Sequence, residues 1–333
     1  MSNTEGIDTA YPSWKAKLAI ELKGKALEEF NYIWDGVSIS PFEERKGIAN
    51  KSFPRIRPSW LIGAGCELTN ESILHALQFG AEIISLNTSI SNKNLSTYFK
   101  DIRLDWITLV VASNERNSID NLFTYLSKQK YKSTVGAIIV PDKNQCELYS
   151  AFAPDFPNYK FLSIDCSASD AAAAIADKFN TLIENINRIA DANTLPSVLG
   201  KIWIRFTPGA DFVLNISMIR ALRQIWVHVL SSFNVDTSIP IPIYGYVKNY
   251  SHLPADNMIL STAVAVACIA GGCDALFIDP PDLSKQNKAW HIKLQHIMKE
   301  EALFDKADDP VSGAFLIERL STIIAEKIWQ SIN

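Results

Sequence analysis

The sequence predicts an α/β protein, a TIM-type (β/α)8 barrel carrying an N-terminal helix-hairpin arm. Eight short apolar runs recur from residue 56 onward, each followed by a polar loop and a stretch with helical spacing, which is the alternation expected of parallel βαβ units. The span they fill, residues 56–333, suits one barrel of about 250 residues better than a doubly wound sheet, which needs fewer strands. The clearest unit lies at residues 240–282. There the run Pro240–Val247 leads through a loop to a helix that reaches Ala270 almost without polar residues, then to Gly271-Gly272 and the strand Ala275–Asp279. A helix so apolar must be covered by the rest of the fold. Asp256 stands where it can cap that helix, and the glycine pair ends it, since only glycine takes positive φ without penalty.

The remaining elements follow in order. Residues 1–55 form an extension: Trp14–Phe30 alternates basic and apolar residues at helical spacing, and residues 31–45 read as a hairpin with Asp35-Gly36 at its turn. The barrel, residues 56–333, then offers strands at Trp60–Gly65, Glu82–Asn87, Trp106–Ala112 and Val135–Val140. Phe161–Asp165, Ile202–Phe206, Ile241–Val247 and Ala275–Asp279 complete the eight. Helices are expected at Asn70–Phe79, Asn92–Phe99, Ser118–Lys128, Gln145–Phe152, Ser169–Asn193, Asp211–Ser231 and Asp256–Ala270. A last helical region, Lys288–Glu301 with Gly313–Ile332, closes the ring.

Composition narrows the function. A chain of 333 residues with 47% hydrophobic and 20% charged content buries a large core. Its net charge of −4, without a cluster of basic residues interleaved with aromatics, argues against nucleic acid as a partner. The basic stretch Arg45–Arg57 reads as a solvated connection. Cys66, Cys146, Cys166, Cys268 and Cys273 form no C-x-x-C pair and fit buried thiols in a reducing compartment. The N-terminus lacks a signal-peptide pattern, and no window holds about 18 uninterrupted apolar residues, so a cytoplasmic protein without a membrane span is expected.

Barrel active sites lie at the carboxyl ends of the strands. Here those ends carry Asn87, Asp165, Arg205, Lys248 and Asp279, which together suit anion binding or proton transfer; strand-end solvation and loop capping account for the same residues. No metal site is expected, because His291 and His296 lie about 140° apart around a helix. Gly63-x-Gly65 follows a strand but lacks the third glycine of a dinucleotide fingerprint. His75 and His252 are isolated, and Trp203, Trp226, Trp290 and Trp329 read as packing residues.

The segment GGCDALFIDPPD, residues 271–282, resembles the methylmalonyl-CoA mutase family, and its small subunit in particular, through Gly271, Gly272, Asp274, Ala275, Pro280 and Asp282. Residues 300–329 match the family's Asp-Pro-x-x-Gly, Glu-x-Leu and closing Trp pattern through Asp309, Pro310, Gly313, Glu318, Leu320 and Trp329. Trp14, LKGK at 22–25, WDG at 34–36 and Pro41-Phe42 are similar to the family's N-terminal arm.

The resemblance implies a CoA-ester-binding (β/α)8 barrel followed in the family by a cobalamin-binding domain, here expected to be absent, together with departures at the sites of chemistry. Leu260 stands for the arginine of Asn-x-x-Arg, and Asp274 and Phe277 stand for the glutamine and histidine that face the thioester. A phenyl ring donates no hydrogen bond. The Asp-x-His-x-x-Gly motif that gives cobalt its lower histidine does not occur. The implied role is a non-catalytic small subunit that binds no cofactor, with adenosylcobalamin in a catalytic large-subunit partner contacted by the arm at residues 1–55. Succinyl-CoA and methylmalonyl-CoA would interconvert only in the heterodimer. Two other readings stand beside it: a free-standing barrel enzyme using Asp165, Lys248 and Asp279 for proton transfer on a CoA ester or other anion, and the substrate-binding half of a split mutase.

Overall fold

The computed structural model describes residues 7–40, 55–87, 95–280 and 289–332. Pro41-Phe42, the start of the basic stretch at Arg45, the expected helix start at Asn92, Asp282 and Lys288 lie outside the described residues.

The chain opens with α1 (Ile7–Glu21), a 3-10 turn at Leu27–Phe30, and a hairpin of β1 (Tyr32–Trp34) and β2 (Val37–Ile39). Asp35 and Gly36 both have positive φ, 47° and 77°, as the two central residues of a type I′ turn require. The hairpin lies on the protein's own helices. Trp34 and Ile39 are buried, Tyr32 donates to Asp211 at 2.8 Å, and Lys327 pairs with Asp35 at 2.9 Å.

The barrel follows as β3 (Leu61–Cys66), α2 (Asn70–Gln78), β4 (Ile83–Asn87), α3 (Leu95–Tyr98), β5 (Thr108–Ala112) and α4 (Arg116–Lys128). Next come β6 (Val135–Ile139), α5 (Asp142–Phe152), β7 (Tyr159–Lys160), β8 (Leu162–Ser167), α6 (Ala172–Ile189) and α7 (Leu195–Leu199). β9 (Ile202–Thr207), α8 (Phe212–Ser232), β10 (Ile243–Val247), α9 (Pro254–Gly271), β11 (Ala275–Ile278), α10 (Trp290–His296) and α11 (Phe315–Trp329) complete it. The sheet runs β7-β6-β5-β4-β3-β11-β10-β9-β8 with every pairing parallel.

Nine segments make eight barrel strands, because β7 and β8 are one strand broken at Phe161. Tyr159 and Lys160 pair with Gly136 and Ala137 of β6, whereas Leu162 to Ser167 pair with Ile202 to Thr207 of β9. At the break the amides of Phe161 and Leu162 both donate to the carbonyl of Lys201, at 3.0 and 3.2 Å, so two residues oppose one as in a β-bulge. The ring therefore closes at the amino ends of the strands and leaves a seam between β6 and β8 at their carboxyl ends. Aromatic packing holds the break. Phe161 stacks on Phe123 at 5.5 Å, and Tyr159 crosses Gly136, where a Cβ would lie 2.4 Å from the tyrosine ring.

Gln145 of α5, 1% exposed, spans the seam. Its Oε1 accepts from the Ser163 amide at 3.0 Å and its Nε2 donates to the Ser163 carbonyl at 3.1 Å. One side-chain amide thus replaces the peptide group that a neighbouring strand would supply.

Period-two alternation points Ile83, Val110, Ala137, Trp203, Tyr244, Ala275 and Phe277 into the axis, where all are buried. Tyr246 and Phe277 stack there at 4.4 Å and 14°. Outside the sheet, one core joins β8–β11 to α6, α8, α9 and α11, and a second joins β3–β6 to α2–α5.

Helix α9 has the length and composition of a membrane span, yet it is the β10–β11 crossover, packed against α8. Two expectations about it need correction. Asp256 is not its cap: the helix starts at Pro254, its N-cap Leu253 makes no side-chain cap bond, and Asp256 accepts from Ser251 Oγ at 3.2 Å. Only Gly272 is left-handed, at φ 92°; Gly271 is helical, and a Cβ there would stand 3.2 Å from the backbone of Ile216 on α8. The expected helix Ser169–Asn193 is also shorter, ending at Ile189 before the separate α7.

Replacing Gln145 by Leu should lower unfolding free energy by about 3 kcal/mol, since it orphans both polar groups of Ser163 in a buried place. Urea unfolding of the two proteins measures this.

Candidate functional site

Strand alternation places the five expected mouth residues on axis-facing positions one layer above the aromatic filling. Asn87 lies two residues beyond Ser85, Arg205 two beyond Trp203, Lys248 two beyond Tyr246 and Asp279 two beyond Phe277. They separate into two groups.

Asn87, Asp165 and Arg205 share a cleft of about 450 Å³ at the open end of the β6–β8 seam. Asp165 and Arg205 are register partners on β8 and β9 and form an ion pair. Three residues not singled out in the sequence join them: Asp142, Gln145 and Lys178. Asp142 Oδ1 accepts from Gln145 Nε2 at 2.9 Å, and Lys178 pairs with Asp170 at 2.7 Å. Partial burial, with the nearby charge of Asp165, pushes the Asp142 carboxyl above the usual carboxylate range, while Lys178 opposes the shift. Asp142 was recognisable in principle as the carboxylate that follows Pro141 at a strand end. Lys178 carried no such signal, because it projects from the second turn of α6.

Lys248 and Asp279 belong to the other group, at the ends of β10 and β11. Loss of water around Asp279 raises its carboxyl, and Lys248 partly offsets this. The triad of Asp165, Lys248 and Asp279 is therefore divided, with Asp165 engaged by Arg205.

A second cleft, about 440 Å³, opens between β3, α2 and α10, with Cys66, Glu71, His75 and His291 on its walls. Burial first, then the neighbouring His75, pushes His291 down to about 4, and its Nδ1 has no hydrogen-bond partner. Among the described residues no group of three His, Cys, Asp or Glu side chains is placed to hold a metal ion.

At the opposite, amino-terminal end of the strands lies a buried ionic network. Arg220 of α8, fully buried, donates to both oxygens of Asp309 and to Glu318, each at 2.6 Å. Glu318 also accepts from the Gly313 amide at 3.1 Å, where Gly313 has φ 84°. Arg223 reaches Asp274 at 2.9 Å and the Gly272 carbonyl at 2.6 Å. Asp274 in turn accepts from the amides of Ile243 and Ile56, both at 2.8 Å.

A family model described as methylmalonyl-CoA mutase matches residues 155–333. The chain belongs to the methylmalonyl-CoA mutase family. The small subunit of methylmalonyl-CoA mutase from Porphyromonas gingivalis is 22% identical over 386 positions, which cover 96% of this chain and 61% of that protein. The Streptomyces virginiae small subunit is 23% identical over 52% of this chain and 30% of its own length. A dihydropteroate synthase from Thermus thermophilus superimposes with a TM-score of 0.42 at 13% identity, covering 74% of this chain and 98% of that one. The chain thus spans less than two thirds of the curated mutase relatives it matches.

Within this mutase-family chain the shared motif residues hold the fold together. Asp274, Asp309 and Glu318 neutralise the buried arginines of α8, Gly271 lets α9 approach α8, and Gly272 and Gly313 turn the backbone. Asn257 clasps the β10–α9 loop, accepting from the Tyr250 and Ser251 amides at 2.9 and 2.8 Å. Leu260 is half-buried on α9, and Phe277 lies in the barrel axis.

Arg220→Met should cost about 3–5 kcal/mol in urea unfolding, because it leaves Asp309 and Glu318 buried and unpaired. His291 gives a pH test. Its ordinary value of 6.5 falls to about 4 in the folded chain, so between those values the unfolded chain binds the extra proton. Its contribution is fully present above pH 6.5 and is lost as pH falls toward 4, by at most about 3 kcal/mol. Unfolding of His291→Gln should show a flatter dependence across that window.

Proposed function

We propose that this chain is the small, non-catalytic subunit of a cytoplasmic, adenosylcobalamin-dependent methylmalonyl-CoA mutase, pairing with a catalytic large subunit. The carrying observation is the filled axis. A CoA ester threaded through the barrel needs an open channel, and here Trp203, Tyr244 and Phe277 are buried in it, with Tyr246 stacked against Phe277. The filled axis supports a role in which the CoA thioester is held by the partner.

The family-matched positions point the same way. Phe277 offers a phenyl face where the resemblance places a histidine, and Leu260 an aliphatic chain where it places an arginine. Asp274 is committed to Arg223 and two backbone amides at the far end of the strands, so it does not reach the mouth. The small-subunit names of the P. gingivalis and S. virginiae relatives support a role beside a larger chain. In that assembly the cofactor and substrate would be held by the partner, and this chain would contribute a rigid barrel.

Mass determination by size-exclusion chromatography, on this chain mixed with a catalytic mutase subunit, tests the pairing. A one-to-one complex with a dissociation constant of about 1 μM or tighter, formed from a chain that has no turnover alone, is the expected result. Failure to associate, or mutase turnover by this chain by itself, would overturn the assignment.

A further inference from the structure

The seam cleft has a chemistry that the subunit role does not use. Its charged side chains are two carboxylates, Asp142 and Asp165, and two cations, Lys178 and Arg205, so the lining is electrically balanced. Each cation faces an anion: Arg205 pairs with Asp165, and Lys178 with Asp170. A charged ligand would have to compete with one of these pairs. The uncommitted polar capacity is of mixed type. The side chains of Asn87 and Asn114 line the cleft and make no hydrogen bond to another described residue. Asp142 uses Oδ1 toward Gln145 and has Oδ2 left as an acceptor, and only Nη2 of Arg205 is engaged by Asp165.

A hydroxyl group satisfies such a lining, because it donates to a carboxylate or amide oxygen while accepting from an amide or guanidinium nitrogen. Vicinal hydroxyls can do so at several points without disturbing the ion pairs. No aromatic ring lies among the described lining residues, which removes the stacking plate that a nucleobase or other flat ligand would need. The volume, about 450 Å³, lies within the range of small-molecule sites. Its place at the carboxyl ends of barrel strands is where this architecture binds ligands.

We propose that the cleft between β6 and β8 binds a small, uncharged, polyhydroxylated molecule of sugar size, held by Asn87, Asn114, Asp142 and the Asp165–Arg205 pair. Asp142, with Oδ1 held by Gln145, can accept a hydroxyl through Oδ2. The site is a property of this chain alone, so partner pairing does not enter its test.

Saturation-transfer NMR on the full chain, with D-ribose and myo-inositol as probes and inorganic phosphate, malonate and ammonium as comparators, decides it. The expected result is saturable binding of one or both polyols, weakened about tenfold or more in Asn114→Ala and in Asp142→Ala. His75→Ala, in the other cleft, should bind as the parent does. Melting curves of the variants separate lost binding from lost folding, and Asn114 is exposed, so its truncation leaves the core intact. Preferential binding of phosphate, malonate or ammonium overturns the assignment. So does the absence of polyol binding, or polyol binding that both cleft variants leave unchanged.

Discussion

Two buried arginines on one helix hold this barrel together. Helix α8 is buried around nearly its whole circumference, between the sheet, α9 and α11, so a cation on it cannot reach water. Arg220 and Arg223 are held there only because carboxylates arrive from elsewhere in the chain: Asp309 and Glu318 from the carboxyl-terminal segment, Asp274 from the foot of β11. A buried pair adds little net stability over an apolar substitute, but losing one partner is expensive. The arrangement therefore acts as a constraint on register. It ties the last helix to α8, the start of β11 to the start of β10, and the segment at Ile56 to both.

With the base pinned, the axis and the mouth can differ in character. The lower layers are filled largely by Ile83, Val110, Trp203, Tyr244 and Phe277, whereas the top layer carries Asn87, Asp165, Arg205, Lys248 and Asp279. The break at Phe161 then decides where room exists, because the strand that should complete the ring pairs with β6 only at its start and with β9 thereafter. Gln145 repairs the backbone across the gap and at the same time forms the floor of the cleft.

The family motifs take on a physical meaning in this setting. Gly271, Gly272, Asp274, Asp309, Gly313 and Glu318 lie at the foot of the barrel or against α8, far from the strand ends where barrel chemistry occurs. Their presence accounts for a kept architecture, while Phe277 is one of the side chains that fill the axis.

The sequence by itself determined what is local. Strand periodicity located all eight barrel strands, the Asp35-Gly36 pair specified a tight hairpin turn, and an almost wholly apolar segment announced the crossover helix α9, which is buried on one face and exposes Ile259 on the other. Backbone dihedral preference and side-chain alternation act within a few residues, so they can be read along the chain. Partnership cannot. Only the tertiary structure decided that Arg205 answers Asp165 and not Asp279, that Asp274 serves Arg223 at the foot of the barrel, and that Asp256 pairs with Ser251 without capping α9. The bulge at Phe161, the amide bridge of Gln145 and the place of Asp142 and Lys178 in one cleft arise from how the ring closes, a constraint that involves every strand at once.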